Sequence, residues 1–170
     1  MKVLIMSDSH GLTDEVSRIK VRHRNEVAGM IHCGDSELSY GSLEMSGFLA
    51  VRGNCDFEGN YPEHISQDLA GFRFFITHGH LYNVKMTLMN LSYKAQEENA
   101  QIACFGHSHI AGSEMIGDTI FINPGSIRLP KQGPEKTYVI LEVNSNEIKV
   151  NYYDTEGNSV DVLSKKYIFD

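Results

Sequence analysis

The 170-residue sequence has no apolar segment approaching the length of a membrane span, no cluster of basic residues and no paired pattern of cysteines. The first absence argues against a membrane-spanning helix. The opening run, Met1-Lys2-Val3-Leu4-Ile5-Met6-Ser7, meets Asp8 at once and is too short for a signal sequence, so the expected location is the cytoplasm. With 15 Lys and Arg against 22 Asp and Glu, the formal charge is −7, which excludes a nonspecific grip on duplex nucleic acid. Bound dications would change the sign of the field in any pocket they occupied. The three cysteines, Cys33, Cys55 and Cys104, are odd in number and widely spaced, so no disulfide framework is expected. Cys33 and Cys104 sit in apolar runs and read as small core residues. There is also no repeat, low-complexity tract or linker, and the length suits one domain over residues 1–170.

Several apolar runs read as strands. Residues 2–7 end at Asp8-Ser9-His10-Gly11, residues 29–33 at Gly34-Asp35, and residues 48–52 at Gly53-Asn54-Cys55-Asp56. Residues 64–69 and 72–77 flank Ala70-Gly71 as a hairpin, and the second stops at His78-Gly79-His80. A helix is expected from an N-cap at Thr13 to about Arg24, with Val16, Ile19 and Val21 as its apolar stripe. A second spans residues 87–99, with Leu88, Leu91 and Ala95 at helical spacing, and residues 43–46 form a weakly helical patch. The later chain is strand-rich: 112–116, 119–123, 138–143 and 148–153, with turns at Gly117-Asp118 and Asn144-Ser145-Asn146. Tyr167-Ile168-Phe169 is expected to dock on the sheet. The order, βαβ early and antiparallel β late, describes a layered α/β fold.

Ala103-Cys104-Phe105-Gly106-His107-Ser108-His109 carries the sharpest signal. If the chain stays extended past Gly106, the period of 2 sends His107 and His109 to one side, where two imidazoles are suited to metal. Alone the pair is ambiguous, since histidines also occur as solvated loop residues. The regularity across the chain adds weight: five apolar strands each end at a metal-capable residue, namely Asp8 and His10, Asp35, Asn54, His78, then His107 and His109. Sites in open α/β sheets form outside the carboxyl ends of strands. Seven N and O donors exceed one tetrahedral site and suit two ions with open positions for water and substrate, with Asp35 as the natural bridge.

Taken together, Asp8-Ser9-His10, Gly34-Asp35, Gly53-Asn54-Cys55-Asp56, Thr77-His78-Gly79-His80 and Gly106-His107-Ser108-His109 resemble the calcineurin-like metallophosphoesterase superfamily. The closest likeness is to its small bacterial and archaeal phosphodiesterases, a group similar to the retromer subunit Vps29. The resemblance implies a two-sheet β-sandwich flanked by helices, with a dinuclear metal site at the strand ends. It also implies that Asp8, His10 and His109 hold one ion and Asn54, His78 and His107 the other, with Asp35 between them. Manganese is the first candidate, with nickel, zinc, iron or cobalt as alternatives. The implied reaction is hydrolysis of a small-molecule or nucleotide phosphodiester by water activated between two cations, for which Asp35, Asn54 and His78 are the catalytic set. A Vps29-like protein-binding scaffold, a phosphomonoesterase and a dinucleotide hydrolase are the alternatives, and a homo-oligomer is left open.

One position departs from the wider superfamily, where a histidine follows the asparagine and is thought to protonate the leaving group. Here it is Cys55, a poor acid for that task. The Gly-Asn-Cys-Asp form is typical of the small phosphodiesterases. His80 and Asn123 are expected beside the ligands or the substrate, Asn123 together with Ser126. His32 reads as a hydrogen-bonded core residue, His23 and His64 as surface residues, and Asp56 either as a residue that orients the neighbouring loop or as an exposed turn acid. Loops 37–41, 57–63 and 132–135 are expected to wall the pocket.

Overall fold

Val3, Leu4 and Ile5 are each fully buried, which a strand achieves only when both faces of its sheet are covered. The computed structural model, which describes residues 1–169, shows how. β1 (Lys2–Met6) lies inside a six-stranded sheet. On one side stand β2 (Gly29–His32) and β3 (Phe48–Ala50); on the other stand β9 (Thr137–Val143), β10 (Glu147–Asp154) and β11 (Lys165–Ile168), giving the order β11-β10-β9-β1-β2-β3. The second sheet contains β4 (His64–Leu69), β5 (Phe72–Thr77), β6 (Ile102–Cys104), β7 (Gly112–Ile116) and β8 (Thr119–Asn123) in the order β4-β5-β6-β8-β7.

Alternation along β1 divides the core. Val3 and Ile5 point into the layer between the sheets, where they join Ile31, Phe74, Ile76 and Ile102. Leu4 and Met6 point the other way, onto Val16 and Ile19 of α1 (Asp14–His23). The outer face of the second sheet, with Phe75, Ala103 and Phe121, is covered by Leu91 and Ala95 of α2 (Met89–Glu97). No helix among the described residues is long and apolar enough to cross a membrane.

The topology decides where a site can form. β1, β2 and β3 are mutually parallel, as are β5, β6 and β8. Parallel strands deliver their carboxyl ends to one edge, so the loops that follow converge there.

The structure departs from the sequence reading in several places. The hairpin β4–β5 and strands β7 and β8 have the expected bounds. Residues 43–46 form turns rather than helix, although Ser46 N donates to Ser42 O at 3.1 Å. Thr13 makes no side-chain cap bond, because its backbone is already helical (φ −100°, ψ −54°) instead of extended. Val21 is exposed, and the buried position near the end of α1 belongs to His23. That histidine is not a surface residue: it lies 2.8 Å from Tyr138 Oη and 2.5 Å from Glu26. His32 is buried, with Ser9 Oγ 2.9 Å from its Nε2. Tyr167 and Phe169 pack against the core between the sheets, Phe169 with its ring 5.5 Å from that of Phe72.

Candidate metal centre

Every expected ligand follows a strand directly or within a few residues. Asp8 and His10 follow β1, Asp35 follows β2, Asn54 follows β3, His78 follows β5, and His107 and His109 follow β6. Backbone bonds continue past the strands and tie these loops together: Asp8 N to Gly34 O (3.0 Å), His10 N to Asp35 O (3.0 Å) and Gly106 N to His78 O (2.9 Å).

Five of the seven leave the strand with left-handed backbone: Asp8 (φ 54°), His10 (42°), Asp35 (54°), His107 (70°) and His109 (60°). Such angles are uncommon outside glycine, though Asp and His adopt them more readily than most residues. The chain after Gly106 is therefore not extended, and a period of 2 is not what orients its two histidines. Each strand end instead kinks sharply, and the strain is held by the bonds between loops. Glycines permit the close approach: a Cβ on Gly53 would collide with the Asp35 carboxylate, and one on Gly106 with Ser7 Oγ and Asp8 Oδ2.

Three tight groups of donor atoms result, each with all its atoms within 4.8 Å of one another: Asp8, His10 and His109; Asp8, Asp35 and His78; and His10, Asp35 and Cys55. His78 Nε2 lies 3.2 Å from Asp35 Oδ2 and 3.1 Å from Asn54 Oδ1. His10 Nε2 and His109 Nε2 are 3.3 Å apart. His107 joins none of the three groups; its ring centroid lies 5.1 Å from that of His78. His80 stands nearby, 5.4 Å from His78 by ring centroids, with a buried Nδ1 that has no partner.

Hydrogen bonds settle which ring nitrogens point outward. A carbonyl oxygen only accepts, so His78 Nδ1 donates to Cys33 O (2.8 Å) and His109 Nδ1 to Leu129 O (2.7 Å). His10 Nδ1 faces Glu37 Oε2 at 2.9 Å. In all three rings Nε2 is the nitrogen directed toward the centre, and the outer contact orients the ring.

The electrostatics keep the two carboxylates and His107 in their ligating forms, whereas the same carboxylates raise His78 and His109, so a cation binding there would displace a proton from those rings. Burial raises the Asp8 carboxyl, but His109, His78 and the Ser7 hydroxyl together hold it below the usual carboxylate value. Asp35 also opposes its burial and is held well down by His78 and the Cys55 amide. His78 is raised by Asp35 and Asp8 against its burial, and His109 chiefly by Asp8. Burial and the charge of His78 lower His107 to about 4, leaving it neutral near pH 7. Cys55 is pushed up to about 11, by burial first and then by Asp35.

These residues fit divalent cations. Asp8 Oδ1 is buried without a hydrogen-bond donor, although His109 Nε2 is 3.0 Å away, His10 Nε2 3.7 Å and His78 Nε2 3.9 Å. Close approach without hydrogen-bond alignment is the relation expected of donors that share an ion. Imidazole nitrogen, carboxylate and amide oxygen together suit transition metals of the manganese-to-zinc series.

Three contributors were not legible as such in the sequence. Glu37 orients His10, and only the fold reveals the pair, 27 residues apart. The Arg128 guanidinium donates to His10 O. Asp56 is not an exposed turn acid: it is buried, and its carboxylate accepts from the amides of Asp35 (2.7 Å), Gly53 (2.8 Å) and Glu37 (2.8 Å). It thus locks two ligand loops together. Asn123 and Ser126 bond to the loops that carry the expected ligands and not to the ligand side chains: Asn123 Nδ2 donates to Gly106 O and Ser108 Oγ, and Ser126 Oγ to Asp8 O. Asp56→Ala leaves three amides without an acceptor and should lower the unfolding free energy by about 3 kcal/mol. Urea denaturation of the metal-free protein measures it; a loss below about 0.5 kcal/mol would mean that water replaces the carboxylate.

A two-sheet sandwich that gathers buried carboxylates and imidazoles at the carboxyl ends of strands from both sheets has the architecture of a metal-dependent phosphoesterase. The chain belongs to the calcineurin-like phosphoesterase superfamily, whose domain profile matches residues 1–146. It is 45% identical over 166 residues to a probable metallophosphoesterase of Bacillus subtilis, YsnB, covering 98% of both chains. It is 32% identical over 108 residues to the phosphodiesterase YfcE of Escherichia coli, covering 55% of this chain and 52% of that relative. A crystal structure from Streptococcus pneumoniae, described as a predicted phosphoesterase, superposes with a TM-score of 0.95 at 34% identity, over 98% of this chain and 97% of that one.

Proposed function

We propose that this protein, as one domain over residues 1–170, hydrolyses phosphodiesters by attack of water on phosphorus, yielding a phosphomonoester and an alcohol. The proposed ligands are Asp8, His10, Asp35, Asn54, His78, His107 and His109, with manganese as the first candidate. The observation that carries the reading is the buried convergence of donors from five strand ends, with Asp8 Oδ1 left without a hydrogen-bond donor. Two divalent cations there would supply Lewis acidity, activating water and neutralising the phosphoryl charge.

The chain's own groups do the rest. Asp8 and Asp35 stay ionised and supply the negative charge that a pair of dications requires. The outer contacts of His10, His78 and His109 hold each ring in place, so no reorganisation is needed during the reaction. Cys55 stands where a leaving-group acid would be expected, and its thiol, raised to about 11, lies well above the near-neutral range in which general acid catalysis is most effective.

The test is an assay across mono- and diesters before and after chelation. Stripping with a chelator should lower diesterase activity by at least about a hundredfold, and added manganese should restore it. Elemental analysis of the same samples reports the metal content. Protein without stoichiometric metal that stays inactive on diesters with manganese would instead mark a protein-binding scaffold, and faster monoester turnover a phosphomonoesterase.

A further inference from the structure

A cavity of about 200 Å³ opens on one flank of the centre. Three of its lining residues, Glu37, Cys55 and Asp56, also bear on the centre. The Cys55 amide donates to Asp35 Oδ1 at 2.8 Å, and Glu37 holds the outer nitrogen of His10 at 2.9 Å. This opening is therefore within reach of an ester arm on a phosphoryl group at the centre. The volume is below that of a pocket for a whole ligand and suits a group no larger than one ring.

Its chemistry is one-sided. Glu37, Asp56 and Glu58 bring three carboxylates, and no lysine, arginine or histidine is among the described residues that line it. An arm ending in phosphate or carboxylate would be repelled. Aromatic surface completes the wall. Phe57 is 94% exposed at the rim, an unfavourable position for a large apolar side chain that nothing covers. Tyr61 lies buried in the floor, its hydroxyl donating to Leu38 O at 2.9 Å, and Tyr40 meets it edge-on with ring centroids 5.2 Å apart. Glu58 is tethered beside them, its Oε2 accepting from Tyr40 N at 2.8 Å. Carboxylates next to an open aromatic face form the combination that recognises organic ammonium groups. Glu37 and Asp56 are engaged by His10 and by three backbone amides, so it is chiefly the Glu58 carboxylate that an apolar ring would leave without a counter-charge.

We propose that this pocket receives a compact organic cation carried on one arm of the diester, so that ammonium-bearing phosphodiesters are preferred substrates. The proposal rests on the phosphodiesterase reading above. Metal-loaded enzyme is assayed with para-nitrophenyl phosphocholine and with its isostere in which a carbon replaces the quaternary nitrogen. The expected ratio of kcat/KM is about tenfold in favour of the cationic arm. In Glu58→Gln and in Phe57→Ala that ratio should fall to within about twofold of unity. Choline chloride, titrated alone by NMR, should shift the amides of residues 57–58 in the wild type and not in Glu58→Gln. A wild-type ratio of one or less, or a ratio untouched by both substitutions, overturns the proposal. If neither ester is hydrolysed, it is the diesterase reading that fails, and the choline titration still decides the pocket: no shift overturns it.

Discussion

Asp35→Asn should give a folded protein whose diesterase activity is lower by at least about a thousandfold under metal-saturating conditions. Asparagine matches aspartate in shape and also tolerates the left-handed backbone at this position (φ 54°), so the loop has no reason to move. The Asp35 amide keeps its acceptor on Asp56. What changes is the side chain. One oxygen accepts from the Cys55 amide at 2.8 Å and the other lies 3.2 Å from His78 Nε2. An amide group offers one acceptor instead of two, carries no charge, and presents N–H donors to one of these neighbours. The counter-charge for one dication disappears with it. Activity, elemental metal content and the denaturation midpoint should be measured on the same preparation. An active Asp35→Asn enzyme would sink the two-cation reading, whereas a collapsed midpoint would assign Asp35 to folding.

The second large effect concerns the leaving group. Diesters of nitrophenol should be cleaved about a thousandfold or more faster than dialkyl esters of similar size, a gap in the range that general acid catalysis supplies elsewhere. Nitrophenolate departs without a proton; an alkoxide does not. Cys55, with its thiol raised to about 11, is mismatched to that task near neutral pH. Cys55→His should therefore raise turnover of dialkyl esters by about ten- to a hundredfold while changing aryl esters little. A small gap between the two ester classes in the wild type would show that another group delivers the proton. His80 is the first to examine, because its ring lies 5.4 Å from His78 and 6.1 Å from His107.

Much of this centre was legible in the sequence because its information is local. A donor that directly follows an apolar run must emerge at a strand end, whatever sheet the strand joins. The β4–β5 hairpin was readable to the residue for a similar reason: Ala70 and Gly71 both take left-handed angles (φ 55° and 84°), as a two-residue turn demands. What escaped depends on contacts between distant segments. Asp56 looks like any turn acid until the amides of Asp35 and Glu37, about twenty residues earlier, fold over it. His23 looked solvated because Tyr138, its partner, lies 115 residues away. The kinks at Asp8, His10, Asp35, His107 and His109 were invisible too, since only neighbouring loops hold those residues in conformations they rarely choose.

The loops that carry the proposed ligands come from both layers, after β1, β2 and β3 of one sheet and after β5 and β6 of the other. A cation held there would be gripped from both sides and act as a rivet through the sandwich. Parting the sheets would break that coordination, so at a thousandfold excess over its Kd the loaded protein should resist unfolding by about 4 kcal/mol more than the empty one. Linkage runs in both directions. Ile31 and Ile76 belong to the core layer between the sheets and are not among the proposed ligands, yet any change there that alters the spacing of the sheets would retune how tightly the metal is held.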